Sequence, residues 1–226
     1  MERGLNSNQL KLIAMITMTI DHMGLMLFPD VLEMRMIGRL AYPIYAYLIA
    51  EGCRHTRSMG RYLGSLAAVA LVCQLAYFFA MERLDQCIMV TFSLSVSLVW
   101  LLRWSVRHGI YGKLVGAAGI FAVLFITEYL PELWKGSGFS VDYGFIGAAI
   151  PVVLYACRNR EQKLMALAVL LGLMSAGMVD LQWLSLMALL PLMCYNGQRG
   201  NRNLKWIFYL YYPVHLLALE GLTMIL

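Results

Sequence analysis

Eight ionisable residues lie within or at the ends of long apolar segments, where a charged group is costly and is a candidate for function. An imidazole exchanges protons near neutral pH, so His22 could act as a general base toward an amine or a hydroxyl. Arg39 could stabilise a developing oxyanion or orient an anionic acceptor. The alternative for each group is a structural role with satisfied hydrogen bonds. The full set is Asp21, His22, Arg39, Glu51, Asp142, Asp180, His215 and Glu220.

Asp21 is a candidate catalytic partner because it precedes His22 in the chain. Consecutive side chains lie about 100° apart around a helix, so a triad-like pair between these neighbours is not expected. We expect Asp21 to meet Arg39 or another helix instead. Burial should keep His22 neutral and therefore basic. A covalent acetyl-His22 intermediate is left open.

Lys11 and His22 are eleven residues apart, which places them on nearly the same helix face, about 16 Å from each other. A long ligand could reach both side chains. Phosphate at Lys11 and a reactive carbonyl at His22 would suit a coenzyme A thioester.

Arg54-His-Thr-Arg57, followed by Arg61, forms a second basic cluster. The three arginines share one face if the preceding helix continues this far. Guanidinium groups suit phosphate recognition, and the alternative is ordinary loop charge. Glu51 is expected to pair with Arg54 or His55, in a structural role.

Two further motifs could contact a substrate. Tyr212-Pro213-x-His215 lies in the last apolar segment, where proline kinks a helix and could direct His215 inward. An interior histidine without another role is the alternative. Asp142 follows a glycine-containing loop and could either face a substrate or cap the next helix.

These residues must be positioned by membrane helices. The chain has 226 residues, of which 61% are hydrophobic and 14% charged, against about 25% charged in soluble domains. This composition excludes disorder, a coiled coil and a soluble nucleic-acid-binding protein.

The five cysteines form no C-x-x-C motif, which argues against a disulfide framework or a zinc site, and no metal is expected. We predict one all-α integral membrane domain over residues 1–226, without nucleic-acid partners.

A spanning helix needs about 20 apolar residues, so the chain accommodates about nine. The first segment is interpreted as a retained helix and not a cleaved signal peptide. Gly177 and Asp180 mark a turn between the short seventh and eighth segments. The predicted spans are Leu10–Phe28, Met36–Cys53, Tyr62–Met81, Ile88–Leu102, Leu114–Leu130, Val141–Cys157, Leu164–Met178, Leu181–Tyr195 and Trp206–Leu226.

The positive charges predict the orientation. The N-terminus and the even-numbered loops hold 14 of the 18 Lys and Arg residues. Because short cytoplasmic loops are enriched in these residues, the N-terminus is predicted to be cytoplasmic and the C-terminus external. This orientation places His22 and Arg39 at similar depth in the outer half of the membrane, and Asp142 near the outer surface.

Four stretches of the sequence resemble the TraX family: residues 10–24 (LKLIAMITMTIDHMG), 37–57 (IGRLAYPIYAYLIAEGCRHTR), 140–144 (SVDYG) and 204–216 (LKWIFYLYYPVHL). The named member of that family is associated with N-terminal acetylation of a conjugative pilin. The resemblance therefore implies an integral membrane acetyltransferase. Lys11-x10-His22 and Arg54-x2-Arg57 also resemble motifs of a wider class of membrane acyltransferases that use cytoplasmic acetyl-CoA.

Two functions from different classes explain the buried charges. The first is transfer of an acetyl group from acetyl-CoA to a pilin-like peptide, a glycan hydroxyl or a lipid head group, by a multi-pass protein of the bacterial cytoplasmic membrane. The second is a small-solute transporter or lipid flippase, but the repeated halves common in transporters are not evident. An assembly scaffold would explain the hydrophobicity but not the buried charges.

Overall fold

The chain is almost entirely helical. The computed structural model describes residues 4–80, 84–176, 180–200 and 205–225, and within these ranges the only β pairing consists of two isolated bridges. The all-α prediction is confirmed. The helices are α1 (Ser7–Met26), α2 (Leu32–Gly38), α3 (Ala41–His55), α4 (Met59–Ala80), α5 (Ile88–Arg107), α6 (Gly109–Leu124), a π-helical turn (Phe125–Tyr129), α7 (Leu130–Leu133), α8 (Gly144–Ala156), α9 (Arg160–Ala176), a 3-10 helix (Asp180–Ala188), α10 (Leu189–Met193) and α11 (Lys205–Thr223).

Each predicted span coincides with one or more of these helices, but the second is not continuous. It divides into α2 and α3, with Arg39 and Leu40 between them. Pro43 explains the break, because proline lacks an N–H and its ring would collide with the Arg39 carbonyl in a continuous helix. The predicted span Met36–Cys53 is therefore not one continuous helix, and Arg39 lies at its interruption. Gly177 and Asp180 were predicted to mark a turn. Gly177 and the side chain of Asp180 lie outside the described residues.

Three helical segments of the described chain are long and apolar enough to cross a membrane, namely Met59–Phe79, Ile88–Arg107 and Gly109–Leu133. Large apolar side chains remain exposed along them, including Leu71, Phe79 and Phe121. Such surface suits contact with lipid. That all nine segments cross the bilayer remains a prediction.

The chain divides into two compact units, and the single domain expected from the sequence remains a prediction. The first unit comprises Met1–Leu48 and Cys157–Leu226. In this unit α1 packs against α2 and α11, and the 3-10 helix packs against α9 and α2. A capping box starts α1, because Asn6 Oδ1 accepts a hydrogen bond from the Gln9 N–H at 3.0 Å while the Asn6 N–H donates to Gln9 Oε1 at 2.8 Å.

The second unit is Ile49–Ala156, with α5 packed against α4, α6 and α8. Phe92, Val96 and Val99 of α5 are fully buried or nearly so. Gly112 and Gly116 of α6 lie against Ser105, where small residues allow close helix approach.

Within each unit, ends predicted to share one membrane face are in contact. The Leu5 N–H donates to the Cys194 carbonyl at 2.7 Å, joining two ends predicted to be cytoplasmic. The Gln86 N–H donates to the Ser140 carbonyl at 2.7 Å, joining two ends predicted to be external. These contacts agree with the predicted alternation of helix directions, which remains a prediction.

Candidate active site

His22 and His215 form a hydrogen-bonded pair between α1 and α11. His22 Nδ1 lies 2.9 Å from His215 Nε2. His215 Nδ1 lies 2.9 Å from the carbonyl oxygen of Tyr211, one turn earlier on α11. The sequence identified both histidines as candidates, and the structure brings them together.

The Tyr211 carbonyl determines which nitrogens carry protons. A carbonyl only accepts, so His215 Nδ1 must donate to it. In a neutral ring His215 Nε2 is then the acceptor, and His22 Nδ1 must be the donor. This leaves the lone pair of His22 on Nε2, which is the nitrogen that can accept a proton from a substrate.

Two tyrosines of α11 surround the pair. The Tyr211 ring stacks on His215 with a centroid distance of 5.1 Å, and its hydroxyl hydrogen-bonds Thr19 Oγ1. Tyr212, a predicted substrate-contacting residue, is 2% exposed and lies edge-on to both histidines. His215 is buried, as the interpretation of the Tyr212-Pro213 motif expected.

Asp21 points away from its neighbour and forms a shared ion pair. Its Oδ1 lies 3.0 Å from Arg39 Nη2, and its Oδ2 lies 2.7 Å from Arg35 Nη1. The expected meeting of Asp21 with Arg39 is present. Arg35 falls outside the predicted spans and was given no role, but it lies within α2. One carboxylate thus holds two guanidinium groups, and α1 is joined to α2.

Gly38 makes this approach possible. A Cβ atom on Gly38 would overlap the Asp21 carboxylate. We expect Gly38→Ala to lower stability by about 1–3 kcal/mol, because the added methyl group displaces Asp21 from its arginines. A thermal unfolding measurement checks this, with Gly64→Ala as the control, since nothing lies within 4 Å of a Cβ there. Equal melting temperatures of the two variants would contradict the proposed tight contact.

Arg39 makes further hydrogen bonds that hold it in place. Its Nε donates to the Arg35 carbonyl at 3.3 Å, and Nη1 donates to Oε1 of Gln182 at 3.3 Å. Gln182 belongs to the 3-10 helix and was not singled out from the sequence. A polar side chain at that position gives no distinctive spacing signal.

Lys11 lies on α1, three turns before His22, with its ammonium 5.0 Å from the centre of the Phe208 ring. A cation over an aromatic face is a stabilising arrangement. The predicted shared face of Lys11 and His22 follows from the continuous helix Ser7–Met26.

In the second unit, Arg54 and Arg103 lie against one tyrosine. Arg54 Nη2 donates to the Tyr155 carbonyl at 2.6 Å, and Arg103 Nε donates to the Tyr155 hydroxyl at 2.8 Å. Their guanidinium carbons lie 5.5 Å and 5.0 Å from the Tyr155 ring centre. Arg103 also donates to the Cys53 carbonyl. Two positive charges therefore lie against the same tyrosine ring.

The predicted helical face of Arg54, Arg57 and Arg61 is not formed. Helix α3 ends at His55, and α4 begins at Met59, so Arg57 lies in the intervening turn. The Thr56 hydroxyl accepts from the Ser58 N–H at 3.4 Å within this turn. The condition for a shared face was a continuing helix, and that condition is not met.

Other polar positions make local contacts. Glu51 Oε2 lies 3.6 Å from His55 Nε2, the expected i,i+4 pair. The carbonyl of Asp142 accepts from the Thr91 hydroxyl at 2.7 Å. The first turn of α8 is capped by Glu128, whose Oε1 accepts from the Phe145 N–H at 2.6 Å.

The helices and the apolar surface define an all-helical membrane protein in which two histidines form a hydrogen-bonded pair between α1 and α11. The sequence profile of the TraX protein matches residues 6–223, so the chain belongs to the TraX family.

Individual relatives extend over different lengths of the chain. "Probable fimbrial assembly protein FimC, serogroup H1" of Dichelobacter nodosus is 28% identical over 249 residues, which cover 96% of each chain. "Uncharacterized protein RP591" of Rickettsia prowazekii (strain Madrid E) is 53% identical over 38 residues, or 17% of this chain and 15% of that protein. No solved structure matches the chain.

Proposed function

We propose that this protein is a multi-pass acetyltransferase of the bacterial cytoplasmic membrane. It moves an acetyl group from cytoplasmic acetyl-CoA to an amine or hydroxyl in or across the membrane. The observation that carries the proposal is the chain of hydrogen bonds from His22 through His215 to the Tyr211 carbonyl. This chain presents a basic nitrogen on a fixed ring.

His22 acts as the general base. Its Nε2 takes the proton of the acceptor as the acceptor attacks the thioester carbonyl. His215 keeps the His22 ring oriented and continues to accept from Nδ1–H when the ring becomes positive. His215 is thus a positioning residue.

Basic groups that are predicted to lie on the cytoplasmic side bind the donor's phosphates in this proposal. Arg54 and Arg103 both contact Tyr155 and supply two guanidinium groups for the phosphates. Planar guanidinium groups can donate two parallel hydrogen bonds to one phosphate. Arg57 and Arg61 add positive charge nearby in the chain.

The acceptor proposed first is the N-terminal amine of a pilin-like membrane subunit. The resemblance to the TraX family and the name of the D. nodosus relative, which describes fimbrial assembly, support this choice. A sugar hydroxyl and a lipid head group are the other acceptors of suitable chemistry.

Binding of acetyl-CoA tests the proposal. Purified protein in lipid nanodiscs should show a higher melting temperature with acetyl-CoA, and labelled acetyl-CoA should transfer its acetyl group to a synthetic pilin N-terminal peptide. A ligand at 100 times its Kd stabilises by about 2.7 kcal/mol. Neither effect is expected of a transporter, a flippase or a scaffold, and absence of both would refute the proposal.

We expect Arg54→Ala combined with Arg103→Ala to weaken acetyl-CoA binding at least about tenfold, because charge-assisted hydrogen bonds contribute about 1.5–3 kcal/mol each. Titration by melting temperature measures the affinity. Arg107→Ala removes an exposed positive charge from the same helix as Arg103 and is the control. Because the double variant also loses its contacts with Tyr155, Arg54→Lys and Arg103→Lys provide milder changes that keep the charge. If the folded double alanine variant binds acetyl-CoA with unchanged affinity, the two arginines contribute only to membrane topology.

A further inference from the structure

The 3-10 helix Asp180–Ala188 has nine residues, more than the three or four usual for this helix type. Residues three apart lie directly above one another in a 3-10 helix. Gln182 and Ser185 therefore share one face, and they are 4% and 0% exposed. Two polar side chains are thus stacked in the interior of the first unit.

Both side chains carry a polar atom without a partner in the described part of the chain. These atoms are Gln182 Nε2 and Ser185 Oγ. Buried polar groups are almost always hydrogen-bonded, and exceptions call for an explanation. Two such atoms on one face indicate a place where a ligand supplies the missing partner.

Arg39 determines what that ligand must offer. Arginine only donates, so the amide atom facing Arg39 Nη1 must be the oxygen of Gln182. The amide nitrogen is then directed elsewhere, with two hydrogens to donate. Donation by a cation to the amide oxygen also polarises the amide and strengthens its N–H donors. The Ser185 hydroxyl can donate as well, so the matching ligand group is a hydrogen-bond acceptor, and best a partly negative oxygen.

Hydrogen bonds join the subsite to the part of α1 that carries His22. Gln182 bonds Arg39, Arg39 bonds Asp21, and Asp21 directly precedes His22. The predicted orientation also places the start of the 3-10 helix and His22 in the same outer half of the membrane. Three of the donor atoms of Arg39 are already used by Arg35, Gln182 and Asp21.

We propose that Gln182 Nε2 and Ser185 Oγ are the hydrogen-bond donors that bind the carbonyl oxygen of the acyl group during transfer. The inference rests on the proposed function, and it makes Arg39 the positioning residue for Gln182. As the acceptor nitrogen bonds the thioester carbon, the carbonyl π electrons move to its oxygen, and Gln182 and Ser185 stabilise the negative charge there. The carbonyl then re-forms, the carbon–sulfur bond breaks, and His22 returns the proton it took to the departing sulfur.

Gln182→Glu is the most informative substitution. Glutamate keeps the size and an oxygen for Arg39 but replaces the amide donors by an acceptor. Its kcat is expected to fall about 10²–10³-fold, as for loss of an oxyanion donor elsewhere, with little change in acetyl-CoA affinity. Ser185→Ala should lower kcat less, and Gln182→Leu should lower it without introducing a charge. Transfer of labelled acetyl to the peptide and acetyl-CoA binding are measured for each nanodisc-reconstituted variant.

Ser175→Ala is the matched control, because Ser175 is 1% exposed but its hydroxyl already donates to the Leu171 carbonyl. Its kcat should equal that of the wild type. If Gln182→Glu and Gln182→Leu keep the wild-type kcat and lose only thermal stability, the two atoms bind internal water and the inference is overturned. If the wild-type protein itself binds no acetyl-CoA and transfers no acetyl group, the proposed function fails and the inference fails with it.

Discussion

Replacing His22 by alanine is expected to lower the rate of acetyl transfer about 10²–10⁴-fold while leaving acetyl-CoA binding largely intact. The loss is chemical because the variant lacks the nitrogen that receives the acceptor's proton. A small void remains on α1, but the Asp21 ion pairs on the neighbouring side chain do not involve the imidazole. Single-turnover transfer from labelled acetyl-CoA measures the rate, and melting-temperature titration measures the binding.

His108→Ala is the matched control, because it removes an exposed histidine at the end of α5. His215→Gln separates positioning from proton transfer, since a glutamine oxygen can still accept from His22 Nδ1. It should retain more activity than His215→Ala. Transfer by His22→Ala at nearly the wild-type rate would eliminate His22 as the base, and His215 would become the candidate.

The sequence predicted the helices of this protein better than their interruptions. Apolar length indicated the segments, because a membrane helix must satisfy its backbone within one continuous stretch. The division between α2 and α3 was missed although Pro43 was visible, because the hydrophobic pattern continues through it. Because the sequence stays apolar across this helix interruption, hydropathy does not detect it. The backbone hydrogen bonds of the structure do.

The candidate site was predicted in part. Buried charge singled out His22, Arg39 and His215, because an ionisable side chain in an apolar segment is conspicuous. Arg35 and Gln182 were not assigned to the site, because one was attributed to a loop and the other is an uncharged residue near a segment end. Arg35 contacts Asp21, 14 residues earlier, and Gln182 contacts Arg39, 143 residues earlier. Residue spacing within one helix does not reveal such contacts.

Replacing Asp21 by asparagine is expected to destabilise the first unit by about 3 kcal/mol. Removing one member of a buried ion pair costs about 3–5 kcal/mol because the remaining charge is left unpaired, and here two guanidinium groups lose the same carboxylate. The lower end applies because the Asp21 side chain is 17% exposed. A melting-temperature decrease of about 6–12 °C should follow for a chain of this size.

Glu132→Gln is the control for this substitution, because it breaks an ion pair with Lys135 whose side chains are 67% and 77% exposed. Glu132 raises the pKa of Lys135, but an ion pair between two exposed side chains contributes little to stability. Equal melting temperatures for Asp21→Asn and Glu132→Gln would show that the carboxylate of Asp21 does not hold α2 against α1.

A second substitution distinguishes unpaired charge from lost packing. Arg35→Gln in the Asp21→Asn background removes one of the two stranded charges, so the double variant should be less destabilised than the sum of the single variants. Additive losses would show that the two side chains act independently. The expected non-additive result would instead support electrostatic pairing as the force that places Arg39, and through it Gln182, beside the helix that carries His22.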